Sequence, residues 1–140
     1  SLKPPAHVLE SLSKDYDLYV RAGVAYNKKT PAHVLEALAK DDNDYVRSNV
    51  ARNQNTPIPI LETMSKDESW EVRVSVAHNL NTPIHVLEKL SKDRYSEIRV
   101  RVANNPNAPA HVLETLSKDK NSDVRVIATR ILEELKHSSD

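Results

Sequence analysis

Apolar side chains recur along this chain in two alternating patterns. In the first pattern they fall at i, i+1 and i+4, as in Val34, Leu35 and Leu38. In the second pattern, which follows a polar corner, they fall four residues apart, as in Val46 and Val50. Both spacings place the apolar residues on one face of a short amphipathic helix. The sequence therefore predicts a succession of short helix pairs and an all-α fold.

The two patterns together repeat every 26 residues. Five prolines stand at this interval: Pro5, Pro31, Pro57, Pro83 and Pro109. We predict five two-helix units over residues 5–30, 31–56, 57–82, 83–108 and 109–134, with a C-terminal capping helix that continues to about 137. One unit of this size cannot bury its apolar face alone, so the units should stack. We expect residues 1–140 to form a single repeat domain.

Polar residues at fixed positions predict where the helices begin and end. Thr30, Thr56 and Thr82 precede a proline and are expected to be N-caps, with proline as the first helical residue. The residues expected to cap the second helices are Asp17, Asn43, Ser69, Ser96 and Asn121. The residues expected to end them, in the left-handed conformation that asparagine tolerates, are Asn27, Asn53, Asn79 and Asn105.

The composition of the chain excludes several kinds of partner and of binding site. The chain has 20 Lys+Arg against 20 Asp+Glu, so its net charge of +0 argues against a nucleic-acid or anionic-membrane partner. It has no cysteine, which excludes disulfides and thiolate metal sites, and a single glycine, which argues against phosphate-binding loops and hairpins. No apolar run approaches the ~20 residues of a membrane span. We expect a cytoplasmic protein without a cofactor.

The consensus TPxHVLExLSKDxxxxVRxxVAxN resembles the leucine-rich repeat variant family, a bacterial relative of HEAT repeats. Lys40-Asp41, Val46-Arg47 and the segment 50–53 carry the resemblance. It implies a right-handed α-solenoid that binds other macromolecules, with the second helices lining the concave surface. The family's first element is often a 3₁₀ turn, which leaves open whether the first element of each unit here is 3₁₀ or α-helical.

An acidic and a basic residue recur six positions apart in every unit. The members are Asp15 and Arg21, Asp41 and Arg47, Asp67 and Arg73, Asp93 and Arg99, and Asp119 and Arg125. Five arginines could form a track for an anion, or each could pair with an aspartate of its own or the adjacent unit. We favour a structural ladder, because equal numbers of opposite charges leave no surplus to hold an anion.

Histidine recurs at one position of the first helix, as His7, His33, His85 and His111, with Pro59 in its place in the third unit. Packed helices lie ~8–10 Å apart, whereas each zinc ligand must approach to ~2.1 Å, so one histidine per unit chelates poorly. We predict no metal site and expect these histidines beside Glu10 and its equivalents. No catalytic activity is expected either, because most Ser, His and Asp residues recur at repeated positions, whereas a reactive centre is singular.

Recognition should depend on side chains that are out of step, meaning that they differ between equivalent positions of the units. Residues in step, which recur at every unit, should serve stacking. The out-of-step candidates on the second helices are Tyr19, Gly23, Tyr26, Tyr45, Asn49, Arg52, Glu71, His78, Glu97, Arg101, Asn104 and Arg130. Three tyrosines around Gly23 could surround a clearing for a ligand side chain, or could cover an exposed end of the stack. Trp70 is expected at the polar corner, outside this surface.

These observations predict a non-catalytic scaffold that binds another protein or a peptide. The alternatives are a HEAT-like nucleic-acid-binding module and a purely structural or engineered repeat segment. Three arginines on the candidate surface (Arg52, Arg101 and Arg130) are balanced by three acids (Glu71, Glu97 and Asp123), which disfavours phosphate binding. Because the chain begins with Ser1 and shows no N-terminal cap before Pro4-Pro5, we expect a monomer or a fragment of a longer chain.

Overall fold

Two rows of short helices build the chain in a computed structural model that describes residues 5–138. Over that range there are ten α-helices and no β-strand. The first helices of the units are α1 (Ala6–Leu12), α3 (Ala32–Leu38), α5 (Ile58–Met64), α7 (Ile84–Leu90) and α9 (Ala110–Leu116). The second helices are α2 (Leu18–Tyr26), α4 (Asp44–Arg52), α6 (Trp70–His78), α8 (Ser96–Asn104) and α10 (Ser122–Ser138). The first element of each unit is thus α-helical.

The second helices stack on one another along the chain, and each first helix packs against the second helix of its own unit. Helices of 7 and 9 residues are too short to be stable alone. Their apolar stripes are buried in the stack: Leu35 and Leu61 on the first helices and Val46, Val50 and Val76 on the second are 0% exposed. The fold is a helical repeat solenoid, as the sequence predicts.

The first helices begin one residue later than the sequence predicts. Pro31 is the N-cap, with an extended backbone, and the helix starts at Ala32. Thr30 does not cap it, because its Oγ1 instead donates to the carbonyl of Val24 at 2.6 Å. Thr56 and Thr82 do the same with Val50 and Val76. The N-cap prediction for the threonines is therefore wrong: each hydroxyl binds a carbonyl in the last turn of the preceding helix, which also accepts from the amide of the asparagine that ends that helix.

The starts of the second helices follow the prediction in part. The carboxylate of Asp17 accepts from the Tyr19 amide, and the side chain of Asn43 accepts from Tyr45. Asn121 accepts from Asp123 and Val124 in the same way. The prediction for Ser69 is right in position but not in its hydrogen bond, and the prediction for Ser96 is wrong. Ser69 stands at the N-cap but its hydroxyl donates to Asp44 Oδ2, and Ser96 is the first helical residue, preceded by Tyr95.

The asparagines at the ends of the second helices do not adopt the left-handed conformation. Asn53 has φ −70° and ψ 123°, and within residues 5–138 no residue has a positive φ. The recurrence of asparagine at this position follows from its side chain. Nδ2 of Asn53 donates to the carbonyls of Ala25 and Asn27 in the preceding unit. We call the three side chains that bind in this way the Asn row: Asn53, Asn79 and Asn105. The second helices end there on an extended backbone, which Asn27 also adopts at the end of α2 although its side chain does not reach a preceding unit in the described part of the chain.

The last helix departs from the repeat. It is 17 residues long, and its partly buried Ile127, Ile131 and Leu132 pack against the core. The missing N-terminal cap that we predicted concerns Ser1 to Pro4, which lie outside the described residues. Across the part of the chain that the structure describes, no helix is long and apolar enough to cross a membrane.

Candidate functional site

A row of ion pairs runs through the stack and joins each unit to the next. The Nε atom of Arg21 donates to Asp41 Oδ2 at 2.8 Å. The equivalent pairs are Arg47–Asp67 at 2.9 Å, Arg73–Asp93 at 2.8 Å and Arg99–Asp119 at 2.8 Å. We call these pairs the Arg–Asp row. Their side chains are between 7% and 19% exposed, so solvent screens them only weakly.

Each arginine of the row also binds its own unit. Nη1 of Arg47 donates to the backbone carbonyl of Asp41 at 2.8 Å, while Nε reaches Asp67 in the next unit. The carboxylate of Asp41 in turn accepts from the backbone N–H of Asn43, which caps α4. One guanidinium thus connects two successive polar corners. The arginines of the row are occupied by carboxylates, an arrangement that fits a structural ladder and not an open track for anions.

The two ends of the series lack a neighbour on one side. Arg125 donates to the backbone carbonyl of Asp119 at 2.7 Å, but the Asp119 carboxylate is held by Arg99. The carboxylate of Asp15 accepts only from the backbone N–H of Asp17 among the hydrogen bonds of the described residues. These terminal members provide natural controls for the contribution of the inter-unit pairs.

The pairing lowers the pKa of two aspartates of the row, Asp41 and Asp119. Burial raises the pKa of the Asp41 carboxyl, but the hydrogen bonds from Arg21 and from the Asn43 amide outweigh it, so this pKa lies below its ordinary value. Asp119 shows the same balance, with its pKa lowered by Arg99 and the Asn121 amide against burial. Hydrogen bonding to Asp67 raises the pKa of the Arg47 guanidinium, against burial. Both partners are therefore charged at neutral pH.

The histidines of the first helices contact the glutamate of the preceding unit. His85 Nε2 lies 2.8 Å from Glu62 Oε2, and His33 lies 3.5 Å from Glu10. The third pair, His111–Glu88, is longer, at 3.7 Å. No group of three or more metal-ligating side chains forms among residues 5–138. The histidines are thus part of the contacts between units.

The out-of-step residues line two adjoining concavities on the row of second helices. The first, of about 380 Å³, is lined by Tyr19, Ala22, Gly23, Tyr26, Tyr45, Asn49 and Arg52. The second, of about 590 Å³, is lined by Tyr45, Ser48, Asn49, Arg52, Trp70, Glu71, Val74, Ser75, His78, Glu97 and Arg101. Tyr45, Asn49 and Arg52 belong to both, so the concavities form one continuous surface from α2 to α8. We call it the second-helix groove.

The tyrosines at one end of the groove are unusually exposed. Tyr19, Tyr26 and Tyr45 are 71%, 63% and 48% exposed. The rings of Tyr19 and Tyr45 meet edge to face, with centroids 6.0 Å apart. A Cβ built at Gly23 would meet nothing within 4 Å, so the glycine leaves open space beside them. The three tyrosine side chains are thus largely open to solvent beside this space.

One predicted groove residue, Asn49, is buried, contrary to expectation, and so are two serines that line the groove beside it. Asn49 is 9% exposed, and its amide donates to the Tyr45 carbonyl at 2.9 Å. Ser75 is 2% exposed and accepts from Nε of Arg52 at 3.3 Å. Ser48 is also buried, and its hydroxyl has no hydrogen-bond partner among the described residues. These side chains are buried because neighbouring second helices pack on both sides of α4 and α6, which covers the sides of each helix as well as its inner face.

The remaining polar candidates divide into two groups. Glu71, His78, Glu97 and Arg101 are exposed and line the second concavity, where two acids and two arginines, counting Arg52, leave no net charge if His78 is neutral. Asn104 and Arg130 are exposed but line neither concavity. Arg130 lies 4.0 Å from Glu134 on its own helix. The structure thus brings together ten of the twelve predicted residues (twelve minus Asn104 and Arg130).

Trp70 lies in the groove, contrary to the prediction that it stands outside. It is the first residue of α6, is 43% exposed and lines the second concavity. Its ring contacts that of Tyr95, with centroids 6.3 Å apart. A signal was present in the sequence, because the equivalent positions hold Leu18, Asp44 and Ser96. This position is out of step, but the interpretation placed it in the corner before the helix.

Comparisons with known proteins agree with the repeat architecture. A sequence model of the HEAT repeat family matches residues 58–82. The crystal structure of an engineered protein is 18% identical, with a TM-score of 0.56, over 94% of this chain and 79% of that chain. A structure described as a leucine-rich repeat variant with a novel repetitive motif is 22% identical, with a TM-score of 0.46, over 90% of this chain and 71% of that one. A search of curated proteins gave no match.

Proposed function

We propose that this chain, a scaffold of HEAT-like helical repeats, binds a segment of another protein in the second-helix groove without catalysing a reaction. The observation that carries the proposal is the exposure of Tyr19, Tyr26 and Tyr45 beside the open space at Gly23. Tyrosine offers a large, rigid contact area with a polar tip, and such residues dominate the binding energy of interfaces. The three tyrosines are out of step, so they do not belong to the recurrent contacts of the stack.

The polar part of the groove supports a peptide as the ligand. Two arginines and two acids line a concavity of about 590 Å³: Arg52, Glu71, Glu97 and Arg101. Such a mixture can pair with the charges and amides of an extended or helical segment, whereas a phosphate backbone requires a surplus of positive charge. We infer that the tyrosine end anchors the segment and that the charged end sets its direction.

The test is a selection from a displayed peptide library on the immobilised full chain, followed by affinity measurements on the enriched peptide. Replacing Tyr19 and Tyr45 with alanine should weaken that peptide at least about tenfold, because aromatic anchors contribute most of the energy of an interface. The melting temperature should fall by only about a degree or two, because both side chains are exposed.

Tyr16 provides the matched control. It is 101% exposed and lies at the polar corner before α2, outside both concavities. Tyr16→Ala removes the same chemical group and should leave the affinity unchanged. Equal weakening by Tyr16→Ala and by the double variant would refute the groove, as would unchanged affinity in both. A preference for labelled duplex DNA that declines steeply with salt would replace the proposal with nucleic-acid binding.

A further inference from the structure

A separate cleft lies on the row of first helices, away from the second-helix groove. It is a cleft of about 440 Å³ between α3 and α5, and it shares no lining residue with the groove. Its apolar walls include Ala39, Pro59, Ile60 and Met64, and Glu36 and Lys40 stand among its lining residues. We call it the α3–α5 cleft.

This cleft is the place where the first helices depart from the repeat. Where other units have histidine, the third has Pro59, and where others have serine, the second has Ala39. Ile60 and Met64 replace the valine and leucine of the other units. Proline is tolerated here because it lies in the first turn of α5, where backbone N–H groups have no helical partner. Pro59 and Ala39 make one contact between units more apolar, and Ile60 and Met64 change the shape of its apolar wall.

The equivalent cleft between the next two first helices, α5 and α7, is smaller and more polar. The cleft between α5 and α7 has a volume of about 120 Å³ and is lined by polar residues such as Ser65, Lys66 and Lys89. The His85–Glu62 pair, at 2.8 Å, joins its two sides. In the α3–α5 cleft, proline cannot make that contact, and the volume is about 440 Å³. The α3–α5 cleft, which lacks the histidine contact, is thus the larger of the two.

The same departure leaves one charge without a partner. Glu10, Glu62 and Glu88 each face a histidine of the following unit. Glu36 is exposed, and the described residues give its carboxylate no ion pair or hydrogen bond. Asp67, which also lines the cleft, is held by Arg47. Lys40 also lines the cleft, but a lysine stands at this position in every unit, so the charge that sets this cleft apart is that of Glu36.

We propose that the α3–α5 cleft binds a segment of another polypeptide in which an apolar side chain is followed by lysine or arginine. The apolar side chain, of leucine or methionine size, occupies the space between Pro59 and Ala39. The cation pairs with Glu36 in place of the missing histidine. A carboxylate beside an apolar pocket discriminates by charge, because the wrong sign leaves a repulsive contact. This site is independent of the second-helix groove.

Met64 gives a specific readout, because it is the only methionine of the chain and lines the cleft. The experiment records the Met64 methyl resonance of the full chain during titration with Ac-Gly-Leu-Arg-Gly-amide. We expect a saturable shift. The matched peptide Ac-Gly-Leu-Glu-Gly-amide should bind at least about tenfold more weakly, and Glu36→Gln should remove most of this difference.

Pro59→His restores the residue of the other units and should place an imidazole opposite Glu36. The saturable shift should then be lost while the far-ultraviolet spectrum and melting temperature show a folded chain. Tyr19→Ala with Tyr45→Ala should leave the titration unchanged, which separates this site from the proposed groove.

The proposal is overturned if neither peptide gives a saturable shift, if both bind equally, or if Pro59→His binds as the parent chain does. A Met64 shift that depends on protein concentration without peptide would assign the cleft to a second copy of the chain and would also overturn it.

Discussion

The carboxylate of Asp41 shows how one residue can serve two neighbouring units. It accepts from Nε of Arg21, which belongs to the preceding unit, and from the amide of Asn43 in its own corner. Both bonds favour the charged form, which is why its pKa lies below the ordinary value in spite of burial. The sequence predicted an aspartate–arginine ladder, but the spacing alone could not choose between a partner in the same unit and one in the next.

The lowered pKa values predict how stability depends on pH. Because the carboxyls of Asp41 and Asp119 have a lower pKa in the folded chain than when unfolded (about 4), the unfolded state takes up more protons in acid. Their stabilisation is therefore fully present above about pH 5 and is lost as the pH falls through the folded-state pKa. Denaturant unfolding from neutral to strongly acidic pH measures this.

Asp41→Asn should flatten that dependence, because an amide does not titrate, and should lower the free energy of unfolding at neutral pH. Asp42→Asn is the control, since Asp42 is an exposed neighbour whose backbone carbonyl, but not its carboxylate, is used by Arg47. If the two variants show the same pH dependence, the paired carboxylate is not the source of the acid sensitivity.

At the scale of the elements, the sequence predicted the existence of the helices better than their ends. Apolar spacing decides which face of a helix is buried, and that spacing recurs in every unit. The ends depend on which polar partner a side chain reaches in three dimensions. The Thr30 hydroxyl could bind a backbone amide at the start of the next helix or the carbonyl of Val24. In the folded chain it donates to the Val24 carbonyl at 2.6 Å. Local capping rules could not decide this.

The Asn row gives a prediction at this scale. Asn79 is 0% exposed, and its amide donates to the carbonyls of Ala51 and Asn53 in the preceding unit. Asn79→Ala leaves those buried carbonyls without this donor and should lower the free energy of unfolding by about 2–4 kcal/mol. Chemical denaturation measures it.

Asn27 holds the equivalent position in the first unit, and the side-chain bond that the structure gives it is from the amide of Lys29. Asn27→Ala should cost about 1 kcal/mol or less. Equal losses at Asn27 and Asn79 would show that the asparagines act within their own turn and not between units.

For the whole molecule, variation between equivalent positions of the units predicted only part of the candidate site. It identified Tyr19, Tyr26 and Tyr45, which are exposed in the groove. It could not predict that Asn49 is buried, because that depends on how closely neighbouring second helices approach. It also missed the α3–α5 cleft, since the departures at Pro59 and Ala39 lie in different units and meet only when the units stack.

The central claim is that the recurrent polar residues act between units, which frees the variable ones for recognition. The most direct test compares Arg99→Ala with Arg125→Ala in the free energy of unfolding at neutral pH. Arg99 is 6% exposed and bridges Asp119 and the Asp93 carbonyl, whereas Arg125 binds only the Asp119 carbonyl among the described residues. We predict a loss of about 3 kcal/mol for Arg99→Ala and less than about 1 kcal/mol for Arg125→Ala. Equal losses would contradict the claim.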